Sequence, residues 1–395
     1  MKKALMAIAI LTLMMYSCEK EKNIDPALQD AGIATASQDE IIPGKYIVIL
    51  EGGLSSLKAT GADALARKAM VAEEALQLMS QVGIMDRAPE SVYGSALRGF
   101  SVAMNEKEAG ELKNQAGVYG VWEDRLITLK KPGTVPTDPP AQSVPYGITR
   151  VGGSVSYTGT HKAWIIDTGI DLDHPDLNVD QSLGRTFVLR TTSADDDNGH
   201  GSHCAGIVAA IDNSIGVVGV AAGATVVPVK VLDKRGSGSM TAIISGVDYV
   251  AATATAGDVA NLSLGGSAYE PIDLAVQNLG DAGVFVALAA GNESDDANNH
   301  SPARANGANL YTVSAMDISD YFAYFSNYAN PPIDYCAPGV GILSTYKSGG
   351  FATMSGTSMA APHVCGLLLV TNGHLNTDGY VIGDPDGNPD PIAHN

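Results

Sequence analysis

Ala163-Trp164-Ile165-Ile166-Asp167-Thr168-Gly169 is a short apolar run that stops on a carboxylate and a turn. Consecutive apolar residues without polar alternation describe a strand buried on both faces. Similar runs lie at 225–231, 259–264, 284–290 and 310–313, and helical stretches lie between and after them at 201–210, 239–252, 272–282 and 359–370. This alternation predicts an α/β fold, a parallel sheet covered by helices on both faces. Such sheets place their sites beyond the carboxyl ends of the strands. Asp167 stands at one of those ends, where a carboxylate can be a helix cap, a metal ligand or a catalytic group.

Three other stretches stand out. Asn198-Gly199-His200-Gly201-Ser202-His203-Cys204-Ala205-Gly206 puts a histidine at the start of a small-residue helix. His200 and His203 could share a helix face and bind zinc, but the spacing is too tight for a metalloprotease helix and no third ligand is evident. His203 reads as a packed core histidine. Ala289-Ala290-Gly291-Asn292 ends a strand on an asparagine, which alone means only a turn. Gly356-Thr357-Ser358-Met359-Ala360-Ala361-Pro362-His363 sets a serine among small residues ahead of an apolar helix. That serine can be an N-cap or a nucleophile. Pro362 reads as lying early in the helix, where a missing amide costs little.

The chain has 395 residues and a net charge of −19. That charge excludes nucleic acid as a partner and leaves carboxylates available for cations. Residues 1–18 read as an export signal: Lys2 and Lys3, an apolar run too short for a membrane span, then Ser17-Cys18. Cys18 is either a lipidated residue or discarded with the signal, so membrane contact is expected only through that lipid. Residues 19–40 read as a polar tether. Cys204, Cys336 and Cys365 cannot all pair, so they are expected as small buried hydrophobes, with one bridge left open.

Residues 41–130 form a separate small unit. The order is strand (44–50), helix (63–82), strand (99–104), helix (105–115) and strand (120–129). Asn105, three residues before Glu108, is the signature of a capping box. Such a βαβαβ unit folds alone only marginally. Residues 131–140, with several prolines and a glycine, form a linker, and residues 141–395 hold the larger domain.

Taken in order, Asp167, His200, Asn292 and Ser358, within IIDTGI, GHGSHCAG, ALAAGN and GTSMAAPHV, resemble the subtilisin-like serine proteases. The likeness runs from about residue 141 to 370. It implies an endopeptidase that cleaves polypeptides through an acyl-enzyme. Ser358 is then the nucleophile, His200 the general base, Asp167 its orienting partner, and Asn292 with the Ser358 amide the oxyanion donors. It implies two substrate-binding edges, Gly236-Ser237-Gly238 and Ser263-Leu264-Gly265, and a pocket walled by Ala289, Ala290 and Gly291 that favours large apolar residues. It implies a structural calcium ion held by Gln142, Asp176, Ile211, Asn213, Ile215 and Val217, provided that the chain near Ala141 folds back. Residues 195–197 and 293–299 are either further ion sites or solvated loops.

The small unit, with GKYIVIL, GFSVAMNEKEAGEL and VWEDRLITL, resembles the inhibitor propeptide of these proteases. That implies a self-processing proenzyme whose last strand leads Leu129 into the cleft as the residue before the cut, with the mature start between 130 and 141. A monomeric protein, secreted or held in a bacterial cell envelope, is expected. Two rival readings are a catalytically silent peptide-binding module of the same fold and an esterase using the same serine. After the serine helix the family packs more helix, whereas here residues 383–395, rich in Asp, Pro and Gly, are expected to be disordered.

Overall fold

The computed structural model describes residues 39–129 and 141–395. The expected export signal at 1–18, the expected tether up to residue 38 and the expected linker through residue 140 lie outside them.

The small unit contains β1 (Glu40–Leu50), α1 (Ala64–Gln81), β2 (Ser91–Tyr93), β3 (Gly99–Ala103), α2 (Glu106–Lys113) and β4 (Val118–Thr128). Asp63 caps α1 by accepting from the Ala66 amide at 2.8 Å. Asn105 and Glu108 form the expected reciprocal box, each side chain accepting from the other's backbone N–H, at 3.0 and 2.8 Å. Among the described residues of this unit, β2 and a short helix at Gly53–Lys58 were not expected. The sheet is antiparallel throughout.

The alternation along β1 assigns its two faces to different partners. Tyr46, Val48 and Leu50 pack with Val71, Leu78 and Leu112 of the unit's own helices. Ile47 and Ile49 point the other way, into a core shared with the large domain.

That domain contains β5 (Ala163–Asp167), α3 (His200–Ala209), β6 (Thr225–Lys230), β7 (Ser237–Ser239), α4 (Met240–Thr253), β8 (Val259–Leu262), α5 (Glu270–Asp281), β9 (Phe285–Ala289), β10 (Leu310–Met316), β11 (Ile333–Pro338), α6 (Thr357–Thr371), β12 (Asn376–Tyr380) and β13 (Pro391–His394). The main sheet runs β12-β13-β11-β10-β9-β8-β5-β6, with the short strands Asn178–Val179 and Arg185–Thr186 beside β6. All pairings from β13 to β6 are parallel, as expected.

Ala163 and Ile165 of β5 pack with α3 and α6 on one face. Trp164 and Ile166 pack with α4 and α5 on the other. The outer side of α4 and α5 is then covered by Ile47, Ile49, Tyr93 and Leu97 of the small unit. The two helices lie sandwiched between two sheets.

The C-terminal expectation is overturned. Residues 391–394 form β13, paired in parallel with β11 through Cys336 and Ile392 and antiparallel with β12. Ile392 and Ala393 are buried. Low local propensity is overridden here by tertiary pairing, and a hairpin stands where disorder was expected.

Candidate active site

The four motif residues come from the ends of four elements. Asp167 closes β5, His200 opens α3, Asn292 follows β9, and Ser358 is the second residue of α6. All four are buried. His200 Nδ1 lies 2.8 and 2.9 Å from the two Asp167 carboxylate oxygens. Burial, the largest single influence, works against the imidazolium, but the Asp167 charge, the neighbouring Cys204 sulfur and the hydrogen bonds to both together outweigh it and hold the His200 pKa well above its ordinary value. His200 Nε2 is buried and makes no hydrogen bond, while the Ser358 hydroxyl donates to the Ser263 carbonyl at 3.1 Å.

Pro362 is the sixth residue of α6, deeper than the sequence reading placed it. Its missing N–H is the one that would have bonded the Ser358 carbonyl four residues back. That carbonyl instead accepts the Ser263 hydroxyl at 2.8 Å and lies 3.5 Å from the Cys204 thiol. The break in the helix ladder thus ties the serine to the end of β8 and to α3. Cys204 Sγ also lies 4.0 Å from His200 Nδ1. Burial raises the pKa of this thiol, so it stays protonated.

Asn292 Oδ1 accepts from the Thr357 amide at 2.8 Å and the Thr357 hydroxyl at 3.0 Å. The Gly291 amide donates to the same hydroxyl at 3.1 Å. These bonds fix which way the carboxamide faces, with its NH₂ end as the donor end.

Three supporting groups escaped the sequence reading. Asp196 is buried, not solvated, and accepts from the amides of Asn198, Gly199 and Ser202 and the hydroxyls of Thr168 and Ser202, at 2.6–3.0 Å. It pins the start of α3 to the loop after Asp167. A run of three aspartates reads as solvent-facing, so no local signal marks the middle one. Gly201 leaves room for that docking: a Cβ there would lie 2.1 Å from the Gly169 carbonyl. Lys230, paired in register with Asp167, is buried and donates to the Thr168 carbonyl at 2.5 Å and to Asp197 at 2.7 Å.

The cleft already holds a strand. β4 pairs antiparallel with β7, Thr128 opposite Ser237 and Ile127 opposite Gly238, and the Leu129 amide donates to the Gly236 carbonyl at 2.9 Å. Gly236 sits in the left-handed region (φ 79°), and a Cβ there would approach Leu129 to 3.2 Å. Leu129 lines one pocket with Leu264, Gly265, Ala289–Asn292 and Ser358. Glu293 and His300 also line it, so the pocket is less apolar than the sequence implied. Glu293 accepts from the Asn292 amide and from Asn327, both at 2.8 Å, and Asp295 lies 3.2 Å from His300. In residues 293–299 the acidic groups are thus engaged with neighbouring side chains and amides.

The zinc reading of His203 fails. Its Nε2 faces the carbonyls of Ile342 and Ala352, at 3.1 and 3.0 Å, and burial holds its pKa down to about 3. It is a neutral core histidine. Cys204, Cys336 and Cys365 are all free and buried.

The six oxygen-bearing residues expected to hold calcium do come together. Ala141 bridges to Ile215 and Ser143 to Val217, so the chain folds back as required. Gln142 Oε1 accepts from the Asn213 amide at 2.7 Å. Asp176 is fully buried and accepts only from the Asn213 carboxamide (2.7 Å) and the Val217 amide (3.0 Å). A buried carboxylate with neutral partners, among oxygen donors, fits a hard cation.

Comparison with known proteins gives a consistent result. Residues 164–377 match the model of the peptidase S8, or subtilase, family. An extracellular serine proteinase of Thermus sp. (strain Rt41A) is 35% identical over 368 residues, 90% of this chain and 87% of the relative. Subtilisin amylosacchariticus from Bacillus subtilis subsp. amylosacchariticus is 40% identical over 276 residues, 67% of this chain and 68% of the relative. The crystal structure of a cold-adapted subtilisin-like serine proteinase superposes with a TM-score of 0.58 at 34% identity, covering 63% of this chain and 97% of that one.

Proposed function

The chain belongs to the subtilase family; it is a subtilisin-like serine protease, a hydrolase of peptide bonds, and from that premise we propose how its own residues carry the reaction. Ser358 Oγ attacks the scissile carbonyl carbon as its proton passes to His200 Nε2. Asp167 holds the imidazole tautomer and stabilises the imidazolium without taking the proton. The Asn292 carboxamide and the Ser358 amide at the start of α6 receive the oxyanion. The proton then goes to the departing amine, leaving an acyl-enzyme for water to hydrolyse.

The observation that carries this reading is the Asp167–His200 clasp beside the helix start that bears Ser358.

The small unit acts as the enzyme's own inhibitor. β4 occupies the Gly236–Gly238 edge as a substrate strand would, and Leu129 lies at the pocket beside Ser358. Self-cleavage falls between Leu129 and Ala141. Calcium, held by Gln142, Asp176, Ile211, Asn213, Ile215 and Val217, supplies charge neutralisation and stiffening away from the chemistry. Export through the signal at 1–18, as a secreted or envelope-held monomer, completes the reading. Among the described residues no helix is long and apolar enough to cross a membrane.

Mass spectrometry of expressed protein tests the core of this assignment. Wild type loses the small unit and Ser358→Ala keeps it. A Ser358→Ala chain that still shortens itself overturns the nucleophile.

A further inference from the structure

The loop between β12 and β13, Gly383-Asp384-Pro385-Asp386-Gly387-Asn388-Pro389-Asp390, is unexplained by the chemistry above. Four strands separate β13 from β5, so the loop belongs to the opposite part of the sheet from Asp167. Oxygen-bearing side chains recur at every second position, 384, 386, 388 and 390, around a left-handed glycine (Gly387, φ 79°). That is the spacing with which short loops wrap a calcium ion.

The loop winds about the Asp384 carboxylate. Asp384 accepts from the Asp386 and Asp390 amides, at 3.4 and 3.3 Å, and its carbonyl accepts from Gly387 at 3.2 Å. Asp390 is 1% exposed; Oδ2 takes the Ser314 hydroxyl, the Asn330 side chain lies against the carboxylate, and Oδ1 is buried with no donor in hydrogen-bond geometry. Asn330 donates to the Asn388 carbonyl at 2.8 Å, and its own Oδ1 is likewise buried and unpartnered. Among the described residues no Lys, Arg or His forms an ion pair with Asp384, Asp386 or Asp390. An orphaned oxygen on Asp390 and another on Asn330, with the carboxylates of Asp384 and Asp386 in the same loop, are a costly arrangement unless a cation meets them.

We propose that this loop, with Asn330, binds one calcium ion, separate from the ion assigned to Asp176 and its neighbours. Asp384, Asp390 and Asn330 Oδ1 are the inner oxygens. Asp386 now accepts from the Asn388 amide at 2.7 Å, and three carboxylates do not yet converge within 4.8 Å here. Asp386 therefore swings in on binding and water completes the shell. Such a loose cage suits calcium over the strictly octahedral magnesium, with a dissociation constant of about 10⁻⁴–10⁻³ M. The ion would fasten the β12–β13 hairpin to the turn ahead of β11.

The test uses the full chain carrying Ser358→Ala, which prevents autolysis, with and without Asp384→Asn and Asp386→Asn. Equilibrium dialysis at a few millimolar calcium should show one ion fewer per chain in the substituted protein. Its melting temperature should also lose a calcium-dependent rise of about 2–4 °C, reached near ten times the dissociation constant. Equal ion counts in the two proteins, or an equal response to magnesium, would overturn the assignment. Should the double change impair folding, Asp386→Asn alone, at an exposed position, must lower the calcium response or the proposal fails in the same way.

Discussion

β1 and β5 are both buried on two faces, but their covers come from different places. β5 owns both: α3 and α6 on one side, α4 and α5 on the other, all within the large domain. β1 owns one, its own helices, and borrows the second from α4 and α5. A period-two strand with two apolar faces cannot leave one of them in water cheaply. The large domain therefore has a complete core of its own, while the small unit is complete only when docked. The same docking lays β4 along β7, so on the proposed reading the contact that finishes the small unit's fold also closes the substrate groove.

The comparison can be broken first at the chemistry. Ser358→Ala keeps the two units in one chain and lowers turnover of a peptide substrate by about 10⁶, the size found when the nucleophile is removed from subtilisin itself. Asn292→Ala leaves the docking intact but removes an oxyanion donor; a loss in kcat of about 10²–10³, again the range known for subtilisin, is expected from steady-state kinetics. A change confined to KM would contradict that role.

The borrowed face can be probed next. Ile47→Ala should weaken the docked unit by about 3 kcal/mol, roughly a hundredfold in inhibition, and leave the melting of the separated large domain unchanged. Ile165→Ala, on β5, should lower that melting whether or not the small unit is present. Asp248 gives a polar version of the same test. Its buried Oδ1 accepts the amides of Gly94, Ser95 and Ala96 at 3.0, 2.7 and 2.8 Å, with Lys68 at 3.4 Å from Oδ2. Asp248→Ala strands three buried donors and should cost inhibition about 2–3 kcal/mol.

The smallest effect is one of pH. Because Asp167 raises the His200 pKa, the imidazole is protonated and unable to accept the serine proton until the pH passes that raised value. The acid limb of kcat/KM should therefore have its midpoint above the ordinary imidazole value of about 6.5. The raised pKa adds stability below the ordinary value, and that addition fades as the pH rises through the folded value. A midpoint below 6.5 would mean that burial outweighs the Asp167 charge, the Cys204 sulfur and their hydrogen bonds taken together.

Much of this was legible in the sequence because it is local. The strands of the main sheet are unbroken apolar runs, and Asp167, His200, Asn292 and Ser358 each sit where a strand stops or a helix starts. Asn105 and Glu108 carry their cap in their spacing. What was hidden is what depends on distant partners. Asp196 looks solvated until Thr168 is placed over it. β13 looks disordered until β11 offers an edge. Nothing within the run 225–231 tells that Lys230 reaches Thr168 and Asp197, and Pro362 looks harmless until the helix is seen to begin at Thr357. No local pattern announces that β7 will pair with β4, since three residues of Ser-Gly-Ser carry no strand signal of their own.

On the proposed reading, the borrowed face of β1 gives maturation a direction in time. Once the chain is cut beyond Leu129, a departing small unit carries Ile47, Ile49, Tyr93 and Leu97 into water and loses what completed its fold. On that reading it unfolds and becomes a substrate of the enzyme it leaves. Each liberated molecule can destroy the inhibitor of the next, so activity should emerge after a lag that shortens when a trace of mature enzyme is added, and the step has no return.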